Sequence, residues 1–202
     1  MTASIVINRE FGSGGREIGR RLCERDGLEF YDSRILQLAA SRRGLPSDAL
    51  EALDERLGAG QFLDLTAIGG STQGSISVPA VLFSAIAGEV VGAARSGPAV
   101  FIGRCADRIL RDAGLPFLSV FVFSTNNAQK AARAIRVDGI EPRDAARYIA
   151  KMDRTRARYQ QFFTGTRFGD YHEYDLCLNS ARLGYAGCVD VIRAAVAAAG
   201  RA

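Results

Sequence analysis

Between residues 9 and 19 the chain reads Arg9-Glu10-Phe11-Gly12-Ser13-Gly14-Gly15-Arg16-Glu17-Ile18-Gly19. Three glycines within four positions let backbone N–H groups turn toward an anion with no Cβ in the way. The chemistry this suits is the cradling of phosphate groups, with Gly12, Ser13, Gly14, Gly15, Arg16, Glu17 and Ile18 as the expected contacts. A standard phosphate-binding loop, G-x-x-x-x-G-K-[ST], carries a lysine and then a serine or threonine hydroxyl. Here those places hold Gly15, Arg16 and Glu17. The glycine cradle is present; the usual cation and the magnesium-binding hydroxyl are not. A glycine cluster alone is also compatible with a ligand-free turn, so its surroundings decide.

Three further groups could act on the same anion. Gly103-Arg104 follows an apolar run, and an arginine at a strand end offers a planar fork for bidentate phosphate contacts. Asp107, three residues on, could orient it; a solvated arginine at a helix start is the alternative. From Lys130 to Arg167 there are ten basic and four acidic residues, against a net charge of +4 for the whole chain, so positive charge concentrates in this segment. Within it Ile149, Met152, Tyr159 and Phe163 form an apolar stripe at helical spacing, and Arg156 falls on that stripe. A charge on a core-facing stripe is costly unless it is paired or turned to a ligand. Asp153 is the available pair, and a bound phosphate is the available ligand. Arg147 and Lys151 read as a solvated face. Asp32, after Phe30-Tyr31, is either a helix cap or a group acting on a substrate hydroxyl.

These residues need a scaffold that brings distant loops together. Residues 4–8 are an apolar run that hardly alternates, the pattern of a strand covered on both faces. A helix over 15–26 follows, with Ile18 and Leu22 on one face and Gly19 beside them for close approach to a sheet. Further strands are expected at 28–31, 99–102, 117–123 and 174–178. Helices are expected from Asp32 or Ser33 to about 43, over 47–57, 80–95, 105–112 and 126–138, from Pro142 to 163, and over 185–199. Residues 58–79, rich in Gly, Ser and Thr, are too long for an ordinary connection and read as a mobile or partly disordered substrate-side segment. Strands alternating with helices predict an α/β fold, a five-stranded, mostly parallel sheet with helices on both faces. Ligands of such sheets bind outside the carboxyl ends of the strands, where the glycine loop and Gly103-Arg104 would meet.

Bulk properties narrow the class. A chain of 202 residues suits one domain with a small lid or insertion, and can bury a core without disulfides or metal. A net charge of +4 suits a small anionic ligand better than a specific nucleic acid, and the basic helix lacks interleaved exposed aromatics. Cys23, Cys105, Cys177 and Cys188 form no C-x-x-C pair and read as reduced thiols of a cytoplasmic protein. With His172 the only histidine, a zinc site or histidine triad is disfavoured. No apolar run of about 18 residues predicts a membrane span, and no signal-peptide pattern is expected. The sequence leaves a homodimer open.

Taken jointly and in order, several segments resemble the cytidylate kinase-like family, a branch of the nucleoside monophosphate kinases in the P-loop NTPase superfamily. They are Ile7 to Gly19, Phe30-Tyr31-Asp32, Ile102-Gly103-Arg104-Cys105-Ala106-Asp107, Asp153-Arg154-Thr155-Arg156 and Tyr174-Asp175-Leu176-Cys177-Leu178-Asn179-Ser180. The resemblance runs from near the N-terminus to about residue 192 and leaves 58–79 unmatched. It implies a three-layer P-loop kinase-like fold and a single domain over 1–202. Residues 33–97 would be a substrate-side helical segment and 128–167 a basic, helical lid. It implies transfer of the γ-phosphoryl of ATP to a nucleoside monophosphate, CMP or dCMP being plausible, with Mg²⁺ as cofactor and nucleotides as partners. A weakly active or inactive nucleotide-binding regulatory module is the alternative. Such chemistry needs positioning and cations on the equatorial oxygens. Arg16, one position past the missing lysine, is the expected replacement on the β- and γ-phosphates. Arg104, Asp153 and Arg156 are its expected catalytic companions, and Asp32, Arg104, Arg133 and Arg156 the expected substrate contacts. Glu17 is the expected Mg²⁺ ligand, or else the partner of Arg16 or Arg20. Where ordinary cytidylate kinases carry Gly-Arg-Asp, this chain has Gly103-Arg104-Cys105. Lys130 and Arg133 fall where the family has basic residues opening the lid.

Overall fold

The computed structural model describes residues 3–32, 35 and 78–199. Among them, β1 (Ser4–Arg9), β2 (Glu29–Tyr31), β3 (Ala99–Ile102), β4 (Phe117–Phe123) and β5 (Leu176–Asn179) form one sheet. Its order is β2-β3-β1-β4-β5, and every neighbouring pair is parallel. Parallel strands need crossovers, and helices supply them on both faces. The helices are α1 (Gly15–Asp26), α2 (Val78–Ser96), α3 (Ala106–Asp112), α4 (Asn127–Asp138), α5 (Ala145–Thr164) and α6 (Ser180–Ala199). This is the α/β architecture the alternating pattern predicts, with the sheet wholly parallel.

Ile5, Val6 and Ile7 of the central strand are fully buried. Successive side chains point to opposite faces, so a strand covered on both sides can be apolar throughout. Ile5 and Ile7 pack with Val100, Val120 and Val122 beneath Ile18 and Leu22 of α1 and Ile192 of α6. Val6 and Phe101 face the other way, toward α2, α3 and the Tyr159–Phe163 end of α5. Each fully buried aliphatic side chain contributes about 1.5–3 kcal/mol. Gly19 has the role its position suggests: a Cβ there would meet Ile102 Cδ1 at 2.7 Å, so α1 lies directly on β3.

Boundaries differ from the sequence reading where local chemistry intervenes. Pro142 opens a 3-10 turn, Pro142–Asp144, that leads into α5. Asn126 caps α4, its side chain accepting the Gln129 N–H at 3.0 Å. α6 starts at Ser180, but Gly184 is non-helical within it, so the regular part begins at Tyr185, where the apolar periodicity begins. Apart from Ile35, the expected helices over 33–43 and 47–57 and the segment 58–77 lie outside the described residues; Val78 and Pro79 belong to α2. Among the described residues no helix is long and apolar enough to cross a membrane.

Candidate active site

The glycine loop leaves β1 and enters α1 at the carboxyl edge of the sheet. Gly12 and Gly14 have φ of 78° and 84°, a region that residues with a β-carbon avoid. Space excludes side chains there too. Gly14 lies against the Tyr185 ring, and a Cβ on Gly12 would sit 2.9 Å from the Lys130 carbonyl oxygen. The Ser13 hydroxyl turns inward and donates to the Glu10 carbonyl at 2.9 Å, shaping the loop. The first helical bond runs from Ile18 N–H to the Gly14 carbonyl at 3.0 Å. Ile18 therefore gives its side chain to the core and its amide, expected on the anion, to the helix. The amides of Gly15, Arg16 and Glu17 precede that bond and stay outside the helical ladder, at the end of the dipole that favours negative charge.

A cavity of about 340 Å³ opens on this loop. Arg9, Arg16, Arg20, Arg104, Arg133 and Arg156 line it, with Glu10, Glu17, Asp32 and Asp138 as the acidic counterparts. The arginines come from β1, α1, the turn after β3, α4 and α5, so the fold converges them. Arg16 is ion-paired with Asp32, whose side chain is largely buried. Glu17 accepts from Arg21 Nε at 3.0 Å, one helical turn on. Arg133 lies over the Tyr185 ring, its guanidinium carbon 5.8 Å from the centroid.

Arg104 sits on an unusual backbone. Gly103, Arg104 and Cys105 have φ of 68°, 63° and 55°, three left-handed residues in succession. For residues with a β-carbon this costs about 1–3 kcal/mol each and persists where surrounding structure enforces it. The Gly103 N–H donates to the Ile7 carbonyl at 3.0 Å, pinning the turn to β1. Arg104 projects over Tyr159, 5.6 Å from the ring centroid, and reaches the cavity. Asp107, expected to orient it, turns into the protein: it accepts Asn8 Nδ2 at 3.0 Å and the Arg108 N–H at 2.9 Å. Burial, then the nearby Asp107 charge, push the Cys105 thiol up, against a smaller pull from Arg104. The side chain in the place of the family's aspartate is thus an uncharged thiol.

α4 and α5 hold the loop from behind. Arg156 Nη1 donates to the Arg9 carbonyl at 2.9 Å, and the guanidinium carbon lies 5.3 Å from the Phe11 ring centroid. Its contact with Asp153, at 3.9 Å, is at the limit of an ion pair. Asp153 accepts the Phe11 N–H at 2.6 Å and Lys130 Nζ at 3.4 Å. Lys130, buried, also donates to Glu10 at 3.1 Å, and Glu10 accepts the Ser124 N–H at 3.1 Å. Neither Lys130 nor Asp153 lines the cavity. Arg104, Arg133, Arg156, Arg16 and Asp32 are brought together; Asp153 stands behind the loop.

Arg9 is the cavity residue that motif reading passes over. Burial, then the charges of Arg156, Arg104 and Arg16, press its pKa well down, while Asp32 opposes them. A guanidinium stays protonated regardless, so the shift marks a charge that is first desolvated and then repelled by its neighbours, and a bound anion would offset both. The available signal was a charged residue ending a central strand whose middle, Ile5-Val6-Ile7, is apolar.

A family model for the cytidylate kinase-like family matches residues 4–182. Among solved structures, an uncharacterized protein from Eubacterium ventriosum is similar with a TM-score of 0.72 at 21% identity, covering 96% of this chain and 98% of that one. Shikimate kinase from Bacteroides thetaiotaomicron is similar with a TM-score of 0.51 at 11% identity, again covering 96% of this chain and 98% of that one. At such identities the likeness bears on the fold, which is that of the P-loop kinases. No curated protein sequence matches the chain. The family match spans most of the residues from β1 into α6, and the chain belongs to the cytidylate kinase-like family.

Proposed function

We propose that this chain transfers the γ-phosphoryl of ATP to a nucleoside monophosphate, with CMP and dCMP the first acceptors to test. One observation carries the reading: arginines from five separate places converge on the open amides of the glycine loop. Phosphoryl transfer needs little covalent help; it needs alignment and positive charge on the transferred group. The amides of Gly15, Arg16 and Glu17 would hold the donor phosphates. A helix N-terminus contributes only about 0.3–1 kcal/mol at an exposed site, whereas a transition-state cation is worth about 10³–10⁵ in rate. Side-chain cations are therefore required, and Arg16, Arg104 and Arg156, which line the cavity, would flank the transferred phosphoryl. Asp32 and Arg133 would contact the acceptor. Residues 128–167 would act as a lid within one domain spanning 1–202.

Among the described residues no group of three or more His, Cys, Asp or Glu side chains converges to hold a metal. Mg²⁺ in such sites is commonly held by one or two carboxylates, with substrate phosphates and water completing it. Glu17, on the cavity wall, fits as the single protein ligand. The ion would neutralise charge on the phosphates when bound; Arg21 holds the Glu17 carboxylate in place.

A second reading is a nucleotide-binding module of little or no activity, favoured by Arg16 and Glu17 each having a protein partner. Incubation with ATP, Mg²⁺ and a panel of nucleoside monophosphates separates the two. Turnover of one acceptor supports the kinase. Saturable ATP binding without turnover across the panel supports the module.

A further inference from the structure

In the phosphate-loop pattern the first glycine stands five positions before the second. Counting back from Gly14, that position is Arg9. Besides the hydroxyl residue lost after Gly15, the chain thus departs from the pattern twice, with arginine for glycine at 9 and glycine for lysine at 15. In space the two departures are one. Gly15 is the first residue of α1 and is not in the left-handed region, so its backbone would admit any side chain. Space excludes one: a Cβ on Gly15 would lie 2.7 Å from Arg9 Cβ and 3.0 Å from Arg9 Cγ. The stem of Arg9 occupies the ground where a side chain at 15 would begin. At its far end the guanidinium fills the space of the Cβ that Gly103 lacks. Glycines on two different loops make room for one arginine.

The head of that arginine faces the cavity beside Arg104 and Arg156. Among the described residues it makes no side-chain hydrogen bond or ion pair, and no buried nitrogen is left orphaned, so its donors open on the cavity. A cation set among Arg156, Arg104 and Arg16, with Asp32 opposing them but itself paired with Arg16, is further stabilised by a bound anion. Arg16, by contrast, is engaged by Asp32.

We propose that Arg9 is the cation on the β- and γ-phosphates of a bound nucleoside triphosphate, replacing from the end of β1 the lysine missing at Gly15. The inference rests on the reading of this cavity as a nucleotide phosphate site. Its planar fork can grip two phosphate oxygens, and its stem is fixed by the loop it serves.

The test is calorimetric binding of ATP and of AMP, which lacks the β- and γ-phosphates, with thermal melts to confirm folding. Arg9→Ala should weaken ATP about tenfold or more and AMP much less, as loss of a charge-assisted contact requires. Arg9→Met, which keeps an unbranched stem and drops the charge, should lose about as much ATP affinity and serves if Arg9→Ala does not fold. Gly15→Lys alone should lose affinity by collision with the Arg9 stem. The double variant Arg9→Gly, Gly15→Lys should bind ATP better than either Arg9→Gly or Gly15→Lys, the signature of two positions sharing one space. Unchanged ATP binding in folded Arg9→Ala, or a double variant no better than its parents, overturns the assignment and leaves the nucleotide site standing. Failure of the wild-type protein to bind ATP overturns both.

Discussion

Asp153→Ala separates a residue that shapes the loop from one that touches the reacting group. Asp153 receives the Phe11 N–H at 2.6 Å and Lys130 Nζ at 3.4 Å. Removing the carboxylate orphans a part-buried amide, which costs about 1–3 kcal/mol. It also leaves Lys130 with Glu10 as its carboxylate partner. Breaking a fully buried pair costs about 3–5 kcal/mol. Asp153 and Glu10 are 24% and 30% exposed, so the second loss is discounted to about 1–2 kcal/mol for solvent screening. The expected total is about 2–5 kcal/mol, a large share of the roughly 5–15 kcal/mol that holds a domain together. For a chain of this size that lowers the melting temperature by about 4–20 °C. Asp153→Asn keeps one acceptor for Phe11 but turns an NH₂ toward Lys130, and should lose about 1–2 kcal/mol. Urea unfolding with a shared m-value reads both losses. An alanine variant within about 1 kcal/mol of wild type refutes the clamp. Turnover abolished in Asp153→Asn with unchanged stability would return Asp153 to a direct role in the transfer.

Three other substitutions test separate parts of the site. Gly14→Ala should collapse ATP binding and lower the melt far more than Gly27→Ala: both have positive φ, at 84° and 66°, but a Cβ at 14 meets the Tyr185 ring and one at 27 meets nothing within 4 Å. Equal losses would remove the ring contact from the explanation. Asp32→Asn should release Arg16 and tighten inorganic tripolyphosphate binding several-fold, as filter binding or calorimetry at low salt would show; no change means Asp32 does not restrain Arg16. Asp107 is held above its ordinary pKa chiefly by burial, against the Arg108 amide, Arg111 and Asn8. Folding thus favours its protonated form, so its contribution to stability is greatest below the ordinary carboxylate pKa and is lost as pH rises through the raised folded value. The wild-type stability curve should therefore show an acid-side gain that Asp107→Asn lacks; parallel curves contradict it.

The scaffold was legible because its elements carry continuous physical signals. Phe117–Phe123 is a strand over the residues its apolar run marks, and Gly15–Asp26 a helix over those its periodicity marks. Tyr174 and Asp175 read as strand by composition, yet Asp175 spends its carboxylate on the Ser119 N–H at 2.7 Å and its own N–H on the Ser119 carbonyl at 2.9 Å. Asp175 anchors the start of β5, whose pairing with β4 begins only at Leu176. Arg156 was singled out by its place on an apolar stripe, and it lines the cavity. The two partners weighed for it were a carboxylate and a ligand; the structure adds a third, the Arg9 carbonyl, which no side-chain spacing encodes.

Position-by-position comparison with a motif explains why Arg9 escaped. Such a comparison asks whether residue 15 is lysine and, finding glycine, counts a lost cation. It cannot ask what fills the space that the lost side chain vacates. That space is shared between the last residue of β1 and the first residue of α1, six positions apart and joined by the loop itself. The same holds for Gly103, which reads as a turn glycine but also lies where the Arg9 guanidinium ends. A glycine is legible as backbone freedom; it is legible as room for another side chain only once the fold has put the two side by side. Gly15 shows the difference most clearly, because its helical backbone never needed a glycine and its neighbour did.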